Sequence, residues 1–237
     1  MNKTFSSSAK FYDLIYKEKD YDSETEYVSQ NIKNLQPQCT NILELGCGTG
    51  NYSFPLRNHG FRVHGIDAST EMVEIANNKK EYKGKTNISF EATSVQKLDL
   101  KENWDAVVSL FFMIGYLSND KDLQKALSKV RNSLTEGGLF VFDFWNAPCV
   151  LRTTFSPKKV SVENTEYKIT RISLPTRTDG DKFVRINQQF SIFEKSSSTN
   201  SHFEEEHKVR FFSEQEIINI LKLNHFELIK TEPFLGG

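Results

Sequence analysis

Ile42-Leu43-Glu44-Leu45-Gly46-Cys47-Gly48-Thr49-Gly50-Asn51, followed by His64-Gly65-Ile66-Asp67, is the stretch that decides the fold. It opens as a strand, Asn41 to Leu45, enters a turn with alternating glycines, and leads into a short helix ending near Gly60. Glycine tolerates positive φ and lets a ligand touch the backbone, while a helix start offers free N–H groups. Arg62 to Ile66 reads as the next strand. Asp67 therefore stands at a strand end, where a carboxylate can accept hydrogen bonds from both ribose hydroxyls of an adenosyl group. A purely structural glycine turn and a nicotinamide dinucleotide site are the alternatives. The dinucleotide fingerprint is G-x-G-x-x-G, whereas Gly46, Gly48 and Gly50 are spaced G-x-G-x-G; Glu44 would repel a pyrophosphate and attract an ammonium group.

Outward from this turn, helical and strand-like segments alternate from residue 22 to 145, the pattern of a parallel sheet covered on both faces. Ser23-Glu24-Thr25-Glu26 reads as a capping box before Tyr27, Val28, Ile32 and Leu35 at helical spacing. Ser69 is a cap for a helix with Met72, Val73 and Ala76 on one face; Ile88 to Ala92 and Asp105 to Phe111 are two further strands. Leu123, Ala126, Leu127, Val130 and Leu134 predict a helix closed by Glu136-Gly137-Gly138 before a strand from Leu139 to Phe144. After Pro148 the character changes, and residues 158–212 show strand-like alternation with turns at Asp179-Gly180 and in the run Ser196 to Asn200. The expected fold is thus α/β: a Rossmann-like, doubly wound, mostly parallel sheet with an antiparallel β insertion after the fifth strand. Residues 1–150 are the core with an N-terminal lid, 151–212 the insertion (an acceptor wall or dimer contact), and 213–237 a last helix from Ser213 and a returning strand, Phe226 to Lys230.

The chain has 237 residues, 30 Lys+Arg against 31 Asp+Glu and a net charge of -1, so it supplies no overall basic field and nucleic acid is not the expected partner. The longest apolar run, Ala106 to Leu117, is too short to span a bilayer and the N-terminus has no apolar leader, so a cytoplasmic location without membrane attachment is expected. Cys39, Cys47 and Cys149 lack metal-ligand spacing and are expected as reduced thiols, and no metal is expected.

Four further segments accompany the glycine turn: Phe11-Tyr12-Asp13-Leu14-Ile15-Tyr16 with Lys19-Asp20-Tyr21, Phe111 to Leu117, Asp143-Phe144-Trp145, and Glu205 to Phe212. Together they resemble the class I S-adenosylmethionine-dependent methyltransferases from about residue 9 onward, and within them the bacterial deoxy-amino-sugar nucleotide N-methyltransferases. The resemblance implies S-adenosyl-L-methionine as cofactor and S-adenosyl-L-homocysteine as product. It implies that Gly46, Cys47, Gly48, Gly50 and Leu110 line the cofactor, that Glu44 faces its amino-acid end, and that Asp67 holds its ribose. The family often has Gly-Asp-Ala after the third strand; here Thr93-Ser94-Val95 stands there, leaving Ser94 as a weaker adenine partner and Val95 N–H as the firmer one. Tyr12 and Tyr21 would close a lid over the methionine portion, or simply pack on a helix face. Chains of this class usually end in a hairpin; only its first arm is legible, so either the chain continues or a homodimer partner covers the sheet edge.

A sulfonium is an activated methyl donor, so the protein must mainly position an electron-rich N or O and accept its proton. Tyr116, just past the fourth strand where the family tends to place a His, is a candidate for orienting the acceptor, or a loop aromatic over the core. His207 is a candidate base or a structural His; Tyr12 joins them as a catalytic candidate. Tyr16 and Trp145 are candidate acceptor walls, Trp145 alternatively a plain packing residue, and Arg171 and Arg210 are candidate phosphate partners or surface groups. The expected function is methylation of a small molecule, preferably the amine of a nucleotide-linked amino sugar. O-methylation of a sugar, phosphate or carboxylate, and a catalytically silent cofactor-binding protein, are the competing readings.

Overall fold

Short β-branched runs bounded by glycine turns and capped helices order the first half of the chain. A computed structural model describes residues 5–82, 86–98, 103–178 and 180–234. Two helices, α1 (Tyr12–Ile15) and α2 (Tyr21–Leu35), precede β1 (Asn41–Leu45); then follow α3 (Ser53–Asn58), β2 (Arg62–Asp67), α4 (Thr70–Tyr82), β3 (Ile88–Ala92), β4 (Trp104–Ser109), α5 (Asp120–Ser133) and β5 (Leu134–Phe142). The strands pair in parallel in the order β3-β2-β1-β4-β5. The chain winds outward from β1 to β3, then returns to the other side of β1 for β4. Their carboxyl ends diverge at that switch point, which opens the crevice typical of ligand sites in such sheets.

Alternate strand residues face opposite layers, and both layers are covered. Leu43, Leu45, Ile66 and Val107 pack with Leu123, Ala126, Leu127 and Val130 of α5. Ile42, Val63, Ala106 and Val108 pack with Val28 and Ile32 of α2 and with Phe54 and Leu56 of α3. Burial on both faces is why these strands read as continuous apolar runs. Truncating Leu127, which is 4% exposed, costs about 2 to 5 kcal/mol through lost transfer energy and the cavity left behind.

A second sheet follows, made of β6 (Trp145–Asn146), β7 (Lys158–Glu163), β8 (Tyr167–Thr176), β9 (Phe183–Glu194) and β10 (Thr199–Phe212) in the order β6-β10-β9-β8-β7, with α6 (Ala147–Arg152) between β6 and β7. Its pairs are antiparallel except β6 with β10. It packs on the lid: Ile15 with Phe11, Leu14 and Tyr16 meets Ile169, Phe190 and Ile192. The chain closes on α7 (Glu214–Leu223), whose cap Ser213 accepts from Glu216 N at 3.1 Å.

Several boundaries differ from the sequence reading. The first long helix is capped by Asp20, whose carboxylate accepts from Ser23 N at 3.0 Å, so it begins before the proposed box. β4 stops at Ser109 because Phe111 and Phe112 turn left-handed, at φ 60° and 61°. β5 starts at Leu134, with Gly137 (φ +73°) inside it rather than ahead of it, and ends at Phe142. Trp145 and Asn146 already pair with β10, so the second sheet begins before residue 151. Phe226 to Lys230 form no strand: Phe226 turns inward onto Phe140 of β5 while Leu228 and Ile229 stay exposed, and the segment makes no ladder with either sheet, so strand propensity alone does not build a strand here. Asp179 of the expected turn, Leu235 to Gly237 and the first four residues lie outside the described residues. Among the described residues, no helix is long and apolar enough to cross a membrane.

Candidate functional site

At the carboxyl edge of β1, Gly46 N and Cys47 N donate to Ile66 O at 2.8 and 3.0 Å and Gly50 N closes on Cys47 O at 2.9 Å. These bonds draw the chain into a turn with φ +72°, +52° and +82° at Gly46, Gly48 and Gly50, values that L side chains rarely adopt. A Cβ on Gly48 would meet no atom within 4 Å, so the turn presents bare backbone to open space. Gly48 N donates to Asp67 Oδ2 at 2.9 Å and Ser69 N to Asp67 Oδ1 at 2.8 Å. An N–H that would cradle a pyrophosphate is thus committed to a carboxylate, which keeps lone pairs for ribose hydroxyls. Burial pushes the Asp67 carboxyl up while the backbone donors pull it down.

Glu44 is 1% exposed, accepts a hydrogen bond from Ser53 Oγ, and has no cationic partner among the described residues. Burial, with the neighbouring Asp67 charge added, pushes its carboxyl up to about 8. A buried acid without a counter-charge beside an open cradle suits an arriving ammonium group, so the turn fits S-adenosylmethionine better than a dinucleotide. Cys47 is buried, with Sγ against Gly65, and Leu110 is buried just past the end of β4. Thr93 N donates to Asp67 O at 2.8 Å and draws the Ser94–Val95 turn to the Asp67 side; the Val95 side chain enters the core.

The lid is aromatic. Tyr12 is half-buried with its ring 4.7 Å from Tyr16, and Tyr21 stacks edge-on against Tyr52 at 4.9 Å. Lys19 Nζ lies 4.8 Å from the Phe111 ring centroid and is paired with Glu24, which also accepts from Tyr52 Oη at 2.5 Å.

On the other side, the second sheet brings together residues far apart in sequence. Tyr116 Oη lies 3.0 Å from His207 Nδ1, and Phe5 covers both rings. Burial, with Arg171 nearby, lowers His207 to about 4, so it is neutral at physiological pH; burial raises the Tyr116 hydroxyl. The His207 Nε2 atom is buried without a hydrogen bond, 3.8 Å from Glu205 Oε2. Arg171 donates to Tyr16 Oη at 2.7 Å, joining the two candidates, and Trp145 packs on Phe112 at 5.5 Å. Arg210 does not join them. Its side chain is 4% exposed and forked between Asp120 (2.6 Å) and Glu216 (2.7 Å), so it ties β10 to α5 and α7 and is not a surface group.

Three carboxylates lie in the segments quoted from the sequence but drew no role there. Asp13 bonds to the glycine turn. Asp143, pushed up to about 6 by burial, accepts from Phe112 N at 2.8 Å and anchors the left-handed loop before Tyr116. Glu205 is buried and accepts from Ser7 N, Ser8 N and Ser8 Oγ. Period two along β10 places Glu205 on the same buried face as His207, Val209 and Phe211. Among the described residues no group of three His, Cys, Asp or Glu side chains could hold a metal ion, and all three cysteines are free.

Residues 42–138 match the family described as a methyltransferase domain. A protein of Geobacillus sp. (strain WCH70) is 32% identical over 141 residues, spanning 59% of this chain and 57% of that protein, little more than half its length. The dTDP-3-amino-3,6-dideoxy-alpha-D-glucopyranose N,N-dimethyltransferase of Streptomyces fradiae is 24% identical over 213 residues, 88% of this chain and 79% of that one. In structure, the chain resembles the sugar N-methyltransferase KedS8 from Streptoalloteichus sp, with TM-score 0.78 and 23% identity over 90% of this chain and 83% of that chain.

Proposed function

We propose, from the premise that residues 42–138 form an S-adenosylmethionine-dependent methyltransferase domain, that the chain N-methylates a small molecule, the amine of a nucleotide-linked amino sugar. The single observation that carries the reading is the pairing of Tyr116 with a neutral, buried His207 at the carboxyl edge of the sheet. A base lowered to about 4 is too weak to strip a proton from an alcohol ahead of attack, whereas an amine needs only to be held in its neutral form and oriented. N-methylation is therefore favoured over O-methylation.

The cofactor supplies a sulfonium-activated methyl group. Asp67 and the glycine turn would hold its ribose and backbone-facing side, Glu44 its ammonium, and Ser94–Val95 its adenine. Tyr12 and Tyr21 would exclude water from its methionine end. Because Glu205 lies on the Nε2 side of His207, we assign the ring proton to Nε2, so that Nδ1 accepts the Tyr116 O–H. Tyr116 Oη is then fixed with its lone pairs free to accept a hydrogen bond from the acceptor amine and point the nitrogen lone pair at the donor. Tyr16 and Arg171 would bound the acceptor on the sheet side, and Trp145 with Phe112 on the loop side. The similarity to dTDP-amino-sugar N,N-dimethyltransferases supports this class of acceptor. Turnover of a panel of nucleotide-linked amino sugars, read as S-adenosylhomocysteine formed and product mass raised by one or two methyl units, tests the proposal. Turnover of hydroxyl acceptors alone would overturn it.

A further inference from the structure

Asp13, Thr49, Asn51 and Lys79 form a closed polar ring that the mechanism above does not use. Asp13 Oδ1 accepts from Thr49 Oγ1 at 2.6 Å and from Asn51 Nδ2 at 3.0 Å, and Asp13 Oδ2 pairs with Lys79 Nζ at 2.5 Å. Lys79 Nζ donates in turn to Thr49 O at 3.0 Å and Asn51 Oδ1 at 2.9 Å. The ring joins three separate segments: α1, where Asp13 follows the lid residue Tyr12; the glycine turn, where Thr49 and Asn51 flank Gly50; and α4, which follows Asp67. Apolar packing would be enough to rest a lid on the second sheet. Charge-assisted, directional bonds to the turn do something else: they make the seating of the lid depend on the shape of the turn, and the shape of the turn on the lid. The Lys79 and Asp13 side chains are 24% and 39% exposed, so water and salt can compete for the pair and the ring can open.

We infer that Asp13 is a positioning residue, with Lys79 as its counterpart, that latches the lid to the glycine turn and slows the departure of bound cofactor. The inference rests on the cofactor reading of the turn and is independent of the acceptor. Its test loads the full chain with labelled S-adenosylhomocysteine and follows dissociation into excess unlabelled ligand. Asp13→Ala and Lys79→Met are each expected to speed dissociation by about tenfold, while association changes by less than about threefold. The double variant is expected to go no further than either single one, because one latch is lost in each case. Asp13→Asn keeps an acceptor for Thr49 and Asn51 and is expected to fall between. Raising salt to about 1 M is expected to speed release from the wild type and leave Asp13→Ala unchanged, a response that loss of packing would not produce. Dissociation within about twofold of wild type in both single variants, additive effects in the double, or salt-independent release from the wild type would overturn the latch. If Asp13→Ala fails to fold, Asp13→Asn and the wild-type salt response decide the matter. A wild type that does not bind S-adenosylhomocysteine would overturn the cofactor reading and the latch together.

Discussion

Replacing Glu44 by Gln isolates one carboxyl whose ionisation the fold opposes. Glu44 is buried beside Ser53 and Asp67, and its carboxyl is held at about 8 against 4.5 for an exposed glutamate. At about 1.4 kcal/mol per pKa unit, ionising it costs the fold roughly 3 to 5 kcal/mol, the lower figure allowing for relaxation and water entry. Between pH 4.5 and about 8 the folded chain keeps a proton that the unfolded chain has lost. This contribution to stability is therefore complete below pH 4.5, falls as pH rises, and is gone above about 8. The E44Q variant keeps a polar partner for Ser53 and has no proton to lose. Urea unfolding at about pH 5 and about pH 8.5 is expected to show similar stabilities at the first and an excess of roughly 3 to 5 kcal/mol for the variant at the second. Other titrating groups, such as Asp143, are common to both proteins and cancel in the difference. Cofactor binding pulls the other way, because a ligand ammonium favours ionised Glu44. The wild type is expected to release a proton on binding S-adenosylhomocysteine near neutral pH, seen as a buffer-dependent enthalpy; E44Q binds more weakly and releases none. A stability difference that does not change with pH refutes the reasoning, even if affinity falls.

Asp67→Ala is expected to weaken S-adenosylhomocysteine binding by about 1 to 3 kcal/mol in calorimetry, with NAD binding absent in both proteins; unchanged affinity removes Asp67 from the site. Tyr116→Phe is expected to lower kcat by at least about tenfold, roughly 1.4 kcal/mol on the barrier, at unchanged cofactor affinity, and full activity would dissolve the assigned pair. Arg210→Met is expected to cost about 1 to 3 kcal/mol in thermal or urea unfolding through the loss of two charged hydrogen bonds, and to leave the acceptor KM unmoved. A raised acceptor KM at unchanged stability would return Arg210 to the site.

The alternating half of the fold was legible because its signals are local. A five-residue apolar run, a glycine that needs positive φ, and a periodic helix such as Leu123 to Val130 each constrain their own neighbourhood whatever surrounds them. The geometry of the turn was legible for the same reason: Gly46, Gly48, Gly50 and Asp67 lie at two adjacent strand ends. Distant pairing was not. Nothing in the vicinity of Tyr116 announces His207, and Arg171 and Arg210 look alike as single basic residues on strands; only the docking of the second sheet gave one to Tyr16 and the other to Asp120 and Glu216. The unmade strand at Phe226 to Lys230 is the converse case, a local propensity that builds no ladder. By itself, the sequence determined the alternating elements of the first half and the glycine turn, since backbone conformation answers to near neighbours. Only the tertiary structure decided which side chains face one another across the crevice and which carboxyls lose their water, because burial and hydrogen-bond partners are set by segments that meet from far along the chain.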